Sequence, residues 1–257
     1  MLTTSVVLFA VVVLFIAGIV TGVAGFGFAL IGTMALATTL PPAVAVVVML
    51  VPMLATNVSL LRELDTDSLV TCGRRFGSFV LAALIGTIVG MVLLERMPDA
   101  PLSIGLGIVT LAYVASAQQI VPISTLERAQ DRCFVETTAA KIILGGVSGL
   151  LFGGTNVGVQ MVAYLRSCGL SHALFIGVIA MIFVGINVVR VGTAAWIGLY
   201  PSLEVVAFSA GLAIIGLGGV SVGRHVRPRI DAQHQRWAVL GLLSVIGVRL
   251  ILAGFGL

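Results

Sequence analysis

Charged residues are scarce in this sequence, and their scarcity excludes an ordinary water-soluble domain. Asp, Glu, Lys and Arg make up 9% of the 257 residues, while 59% are hydrophobic. A soluble domain carries about 25% charged residues, and the mean hydropathy here is +1.20. Stretches of alternating polar and apolar residues, which would indicate a membrane β-barrel, are also lacking. The composition therefore predicts an all-α polytopic membrane protein.

Other absences narrow the range of functions. No Lys or Arg precedes Arg62, so a signal peptide with a basic start is not expected. The three cysteines lack the spacing of a metal site or a disulfide framework. The dinucleotide-binding loop, the HExxH zinc motif and the serine nucleophile elbow are missing. We therefore expect neither an enzyme nor a cofactor nor a metal, and no nucleic-acid partner because the basic residues lie in short loops between apolar runs.

Two glycine-rich stretches lie within long apolar runs. The first spans residues 18–32 and the second spans 145–158. Glycine weakens a helix by roughly 1 kcal/mol per residue relative to alanine, so both stretches predict broken helices, at Gly25–Gly27 and at Gly153–Gly154. Paired breaks in the two halves of a membrane protein point to a transporter's binding site. Tight helix packing is the alternative explanation of these glycines.

The chain divides into two similar halves. We predict a first transmembrane repeat over residues 1–121, a linker over 122–140 and a second repeat over 141–257. Internal duplication of this kind is typical of secondary transporters. Matching positions in the two halves carry the same residues: Asn57 and Asn187, Ile85–Gly86 and Ile215–Gly216, Pro98 and Pro228.

Apolar runs and prolines set the expected helices. The pair Pro41–Pro42 should end one segment and begin the next, since proline fits the first turn of a helix but not its interior. The spacing of Gly86 and Gly90 should allow close helix contact. Counting short pieces, we expect about eight to ten membrane segments. They are 4–24, a short piece to 40, 42–61, 76–94, 101–121, 141–152, a short piece to 165, 172–191, 203–223 and 237–255.

Basic residues in short loops predict the orientation. Loops 62–75, 122–141 and 224–236 hold most of the Lys and Arg and should face the cytoplasm. Their counterparts in the other half, 95–100 and 192–203, hold Arg96 alone. A loop that is inside in one half is then outside in the other, which predicts inverted repeats. The alternative is two parallel halves with four membrane crossings each. That arrangement would place one of the basic loops on the outer side of the membrane.

Polar residues near the glycine breaks are the candidate binding groups. Freed backbone N–H groups at the starts of half-helices suit a small anion near the bilayer midplane. Side chains that could add hydrogen bonds are Thr21, Ser148, Thr155, Asn156 and Gln160, although interhelical hydrogen bonding is the alternative for them. Asn57 and Asn187 either bind the substrate or tie the broken helices down.

Arg190 is the ionisable residue of most interest. It follows Asn187 by three residues, so the two side chains share a helical face. An ionisable residue near the membrane interior is a functional hypothesis by default, and a planar guanidinium suits oxyanions through paired hydrogen bonds. The alternative is that Arg190, close to the end of its helix, extends to the membrane surface.

The residues described above resemble the TauE/SafE-type sulfite exporter family. The resemblance is carried by the duplicated glycine-rich signatures over 18–42 and 145–172, by the matching asparagines, and by the charged central linker. It spans nearly the whole chain. It implies transport of sulfite, sulfonates or related sulfur anions across the plasma membrane, which composition alone would not name.

The sequence thus predicts an inverted-repeat permease that moves a small sulfur-containing anion by alternating access. A passive anion channel and a non-transporting membrane sensor or subunit are the rival interpretations. The partners expected are the anion and the lipid bilayer, with protons or another coupling ion and a homo-oligomer left open. The predicted substrate-binding residues are Gly25, Gly27, Asn57, Gly153, Gly154, Thr155, Asn156, Gln160, Asn187 and Arg190.

Overall fold

The structure, a computed structural model, describes residues 3–61, 66–117, 137–158, 161–162, 164–165, 168, 170, 172–227 and 232–256. Regular secondary structure in these residues is helical, and six segments among them are long and apolar enough to cross a bilayer. The prediction of an all-α polytopic membrane protein is confirmed. The helices are α1 (Thr4–Ala24), α2 (Phe28–Leu36), α3 (Pro42–Val48), α4 (Leu50–Leu61), α5 (Thr66–Arg96), α6 (Asp99–Ala117), α7 (Thr138–Thr155), α8 (His172–Trp196), α9 (Leu203–Val226) and α10 (Ala232–Gly254).

The first glycine break lies where the sequence predicts it. α1 ends at Ala24 and α2 begins at Phe28, and between them Gly25 and Gly27 have φ angles of 81° and 111°. Glycine adopts this left-handed conformation readily because it has no Cβ. Gly25 also donates its N–H to the Thr21 carbonyl, so the end of α1 keeps a hydrogen bond inside the protein.

The second break is displaced from the predicted one. Gly153 and Gly154 do not interrupt α7, which continues to Thr155 and is capped by Asn156 at a φ of 59°. The two glycines stay helical because α5 packs against them, and a Cβ on Gly153 would overlap the Thr87 carbonyl. Asparagine is one of the few residues besides glycine that tolerate the left-handed conformation. The predicted break at Gly153–Gly154 is therefore wrong, and tight packing explains these two glycines.

Three other predicted boundaries also shift. Residues 66–75, predicted as a polar loop, form the first turns of α5. α7 begins at Thr138, inside the predicted linker 122–140, of which 122–136 lie outside the described residues. The helix expected over 42–61 consists of α3 and α4, which meet at Met49.

A serine from another helix satisfies the backbone near the junction of α3 and α4. Pro52 has no N–H, so it cannot bond to the Val48 carbonyl four residues earlier. Ser209 of α9 donates its hydroxyl to that carbonyl at 2.6 Å, and both residues are buried. The side chain thereby replaces the missing backbone donor where water is absent.

Each half packs its first helix against a helix of the other half. α1 lies along α9, and α7 lies along α5. Facing residue numbers rise together in both pairs, so the paired helices run parallel: Gly18 faces Gly216 and Gly22 faces Val220 in one pair, while Phe79 faces Gly145 and Thr87 faces Gly153 in the other. The two pairs are equivalent under the sequence duplication.

The last helices of the two halves, α6 and α10, pack against each other in opposite directions. Gly107 approaches Gly247, and the Ala100 carbonyl approaches Gly254. Facing residue numbers therefore fall in one helix as they rise in the other. Equivalent helices of the two halves run antiparallel at this contact.

The glycines between α5 and α7 provide a test of this packing. A Cβ on Gly149 would overlap the Ala83 carbonyl, whereas a Cβ on Gly146 would meet nothing within 4 Å. We expect Gly149→Ala to lower the apparent melting temperature by several degrees, because overpacking costs about 1–3 kcal/mol. Gly146→Ala is the matched control and should not lower it, since alanine is the better helix former by about 1 kcal/mol. Equal melting temperatures for the two variants would contradict the packing.

Candidate functional site

Arg190 is the centre of a polar cluster inside the helix bundle. It lies on the inner face of α8, and 0% of its surface is exposed. By volume it ranks first among the fully buried side chains of the described residues. The alternative in which Arg190 extends to the membrane surface is therefore wrong, because the side chain finds its polar partners within the protein.

Three neutral oxygens and one aromatic ring surround the guanidinium. Its Nη2 donates to the Gly153 carbonyl at 3.1 Å and to Oδ1 of Asn156, and its Nη1 donates to Oδ1 of Asn187 at 3.4 Å. The guanidinium carbon lies 4.8 Å from the ring centroid of Phe152. The last turn of α7 supplies most of these contacts, and the negative end of a helix dipole suits a cation there.

Asn156 joins this cluster to the first half of the chain. Its Nδ2 donates to the Thr33 hydroxyl of α2 at 2.8 Å and to the Val46 carbonyl of α3 at 3.0 Å. All three residues are fully buried. The left-handed backbone of Asn156 ends α7 and turns its amide towards both helices. The cluster thus joins the end of α7 to helices α2 and α3, which belong to the first half of the chain.

No acidic side chain among the described residues neutralises Arg190, and Tyr200 is the one described titratable group whose electrostatic influence reaches it. Within the described part of the chain, Nε of Arg190 and Nδ2 of Asn187 also have no hydrogen-bond acceptor. A buried charge without a counter-charge costs several kcal/mol. A bound anion would supply both the missing negative charge and the missing acceptors.

The structure brings Gly153, Asn156, Asn187 and Arg190 of the predicted set together. Other predicted side chains bond within their own helices. Asn57 donates to the Met53 carbonyl at 2.7 Å, and the Thr155 hydroxyl donates to the carbonyl four residues before it.

The remaining predicted residues have other positions. Gly25 and Gly27 form the break between α1 and α2. Gly154 faces the Gly90 carbonyl of α5. Gln160 lies outside the described residues. Whether any of these residues meets a substrate stays a prediction.

The sequence pattern did not single out three neighbours of Arg190. Thr33 lies on the short helix after the first break, and Phe152 lies in the last turn of α7. Tyr200 follows Trp196 in the loop after α8, a placement typical of aromatic residues at a membrane surface. Trp196 is 86% exposed, but Tyr200 is half-buried and its hydroxyl is enclosed. A polar residue within an apolar signature was the available signal for Thr33.

The cluster is formed in one of the two predicted repeats. Gly25 caps α1 as Asn156 caps α7, and each lies against the equivalent residue of the opposite half, Ile176 or Val46. Gly25 has no side chain to bond with, and Leu60 occupies the position that the arginine takes in the second half. The first half therefore contributes neutral groups that contact the cluster, and the second half contributes its charged residue.

A buried guanidinium with spare donors, set among amide and carbonyl groups, can hold an oxyanion. The family model described as "Sulfite exporter TauE/SafE" matches residues 10–250. No curated protein and no solved structure matches the chain.

Proposed function

We propose a function on the premise that the chain belongs to the sulfite exporter TauE/SafE family, whose model covers nearly all of it. Membership implies an integral membrane transporter for sulfur-containing anions. The finer proposal is that sulfite or an organosulfonate crosses the plasma membrane by alternating access. In this proposal Arg190 holds the anionic group, and Asn156 and Asn187 orient it.

The observation that carries this proposal is the burial of Arg190 without a counter-charge among the described residues. In this conformation the guanidinium donates its hydrogen bonds to three neutral oxygens. An oxyanion replaces them favourably, because charge-assisted hydrogen bonds are roughly twice as strong as neutral ones. A purely structural role would favour a paired or apolar residue at this depth.

The packing of equivalent helices supports an inverted-repeat architecture. α6 and α10 occupy the same place in their respective halves and run antiparallel where they meet. A two-fold axis that relates antiparallel helices is perpendicular to them, so it lies in the membrane plane when the helices span the membrane. Repeats related in this way exchange inside for outside, which is the basis of alternating access in such transporters.

Basic residues at one end of the bundle support the proposed orientation. Arg224 donates to the Ser59 carbonyl near the end of α4, and Arg227 donates to the Val23 carbonyl near the end of α1 at 3.0 Å. Cations at helix C-termini are favoured by the helix dipole. The C-terminal ends of α1, α4 and α9 thus share one basic face, and we assign that face to the cytoplasm.

Sulfite counterflow tests the transport proposal. The purified protein is placed in liposomes loaded with unlabelled sulfite, and uptake of external sulfite labelled with sulfur-35 is followed. We expect saturable uptake with transient accumulation of label, because an alternating-access carrier exchanges internal for external substrate at one site. Liposomes without protein are the control. Uptake that rises linearly with concentration and ignores internal sulfite would show a passive channel instead.

A further inference from the structure

Three hydrogen-bond donors near Arg190 have no acceptor among the described residues. They are Nε of Arg190 itself, Nδ2 of Asn187 and the hydroxyl of Tyr200. Each atom is enclosed by protein, so bulk water does not satisfy it. Buried polar groups without partners are uncommon, and each one calls for an explanation such as a missing ligand.

Tyr200 reaches this neighbourhood from the loop between α8 and α9. It packs against a small buried cluster made of Val47, Leu50, Met91 and Ala194, of which Ala194 lies one turn beyond Arg190 on α8. Val47 directly follows Val46, whose carbonyl binds Asn156. Tyr200 therefore lies near the junction of α3 and α4, close enough to Arg190 for their charges to interact.

The hydroxyl of Tyr200 remains a donor across the physiological pH range. Burial raises the pKa of Tyr200 above its usual range, and the nearby charge of Arg190 offsets only part of that effect. The side chain therefore stays protonated and adds no negative charge to the site.

The charge at the site is a single positive one within the described residues. Arg190 supplies it, and the groups in contact with it are two side-chain amides, one backbone carbonyl and one aromatic ring. A singly charged anion brings the net charge of the occupied site to zero. A doubly charged anion leaves one negative charge buried without a partner, which is the costly case in a low-dielectric interior.

We propose that this site selects singly charged sulfur oxyanions over doubly charged ones, and that Tyr200 donates a hydrogen bond to the bound anion. The inference rests on the proposed function, because it assumes that the anion binds at Arg190. Sulfonates and hydrogensulfite belong to the selected class, while sulfate and fully ionised sulfite do not. The three unpartnered donors match the three oxygens of a sulfonate or a hydrogensulfite ion.

Calorimetric titration of the purified protein with two anions tests the charge selection. Methanesulfonate carries one negative charge and sulfate carries two, and both present oxygens on a tetrahedral sulfur. We expect methanesulfonate to bind at least about tenfold more tightly than sulfate. Sulfate binding that is equal or tighter would overturn the charge selection and leave anion binding at Arg190 intact. If neither anion binds and the sulfite counterflow also fails, the proposed function falls and this inference with it.

Tyr200→Phe tests the hydrogen bond. We expect its methanesulfonate affinity to fall about tenfold, as for loss of a hydrogen bond to a charged group. The melting temperature of the anion-free protein should not fall, because this hydroxyl has no partner there. Tyr164→Phe is the matched control, since Tyr164 is buried and its ring stacks on that of Phe79 of α5 at a centroid distance of 4.8 Å. Unchanged methanesulfonate affinity in Tyr200→Phe would overturn the role of Tyr200.

Discussion

Replacing Arg190 by glutamine is expected to lower sulfite counterflow by at least about 100-fold while the helical fold persists. The guanidinium is the positive charge that the described residues bring into the cluster. Without it, the charge of the anion is buried unpaired, and breaking a buried charge pair costs about 3–5 kcal/mol, where each 1.4 kcal/mol is tenfold. Glutamine keeps an N–H donor for the surrounding oxygens, so circular dichroism and elution volume should match those of the unmodified protein.

Arg190→Lys separates the charge from its geometry. Lysine keeps the positive charge but lacks the planar fork that donates two parallel hydrogen bonds. We expect sulfite counterflow to fall about tenfold in this variant, which is a smaller decrease than in the glutamine variant. Counterflow by Arg190→Gln at the rate of the unmodified protein would show that the anion is held elsewhere.

Asn187→Asp is expected to abolish anion binding and to stabilise the protein at the same time. Oδ1 of Asn187 already accepts from Arg190, and its Nδ2 has no partner within the described chain, so the exchange sacrifices no hydrogen bond. The new carboxylate neutralises the guanidinium from three residues away on the same helix. We expect sulfite affinity to fall at least about 100-fold and the apparent melting temperature to rise by several degrees.

The same substitution at the matching position of the first half is the control. Asn57 donates to the Met53 carbonyl at 2.7 Å, and the residue three positions after it is Leu60 rather than an arginine. Asn57→Asp should therefore lower the melting temperature and leave sulfite affinity unchanged within about twofold. An Asn187→Asp protein that still binds sulfite with the original affinity would exclude the guanidinium as the binding group.

Features that depend on local chemistry could be predicted from the sequence. The apolar runs predicted the membrane helices because a bilayer leaves little choice of structure for them. The break at Gly25 and Gly27 followed from the same reasoning, since both residues take a left-handed conformation. The start of a helix at Pro42 followed from the restricted backbone of proline.

The second break could not be predicted because its cause is not local. Gly153 and Gly154 look like helix breakers in the sequence, but contact with α5 keeps them helical. The break falls at Asn156, which the sequence presented as a possible ligand and not as a helix cap. Helix packing thus moved the break by a few residues and changed which side chain lies at it.

Only part of the candidate site could be predicted from the sequence, because some of its contacts are local and others join distant residues. Asn187 and Arg190 share a helical face, and that spacing was readable in the sequence. The bonds from Asn156 to Thr33 and Val46 join residues more than 100 positions apart, so no local pattern indicates them. Tyr200 resembled a membrane-surface residue because its position in a loop after Trp196 is typical of one.

Direct localisation of a bound sulfonate tests the central claim that Arg190 holds the anion. Crystals of the protein soaked in 2-bromoethanesulfonate would show the bromine by anomalous scattering and the sulfonate in the adjoining density. We expect a sulfonate whose oxygens accept hydrogen bonds from the Arg190 guanidinium, between α7 and α8. A sulfonate bound elsewhere in the bundle, with Arg190 still bonded to Gly153, Asn156 and Asn187, would contradict it.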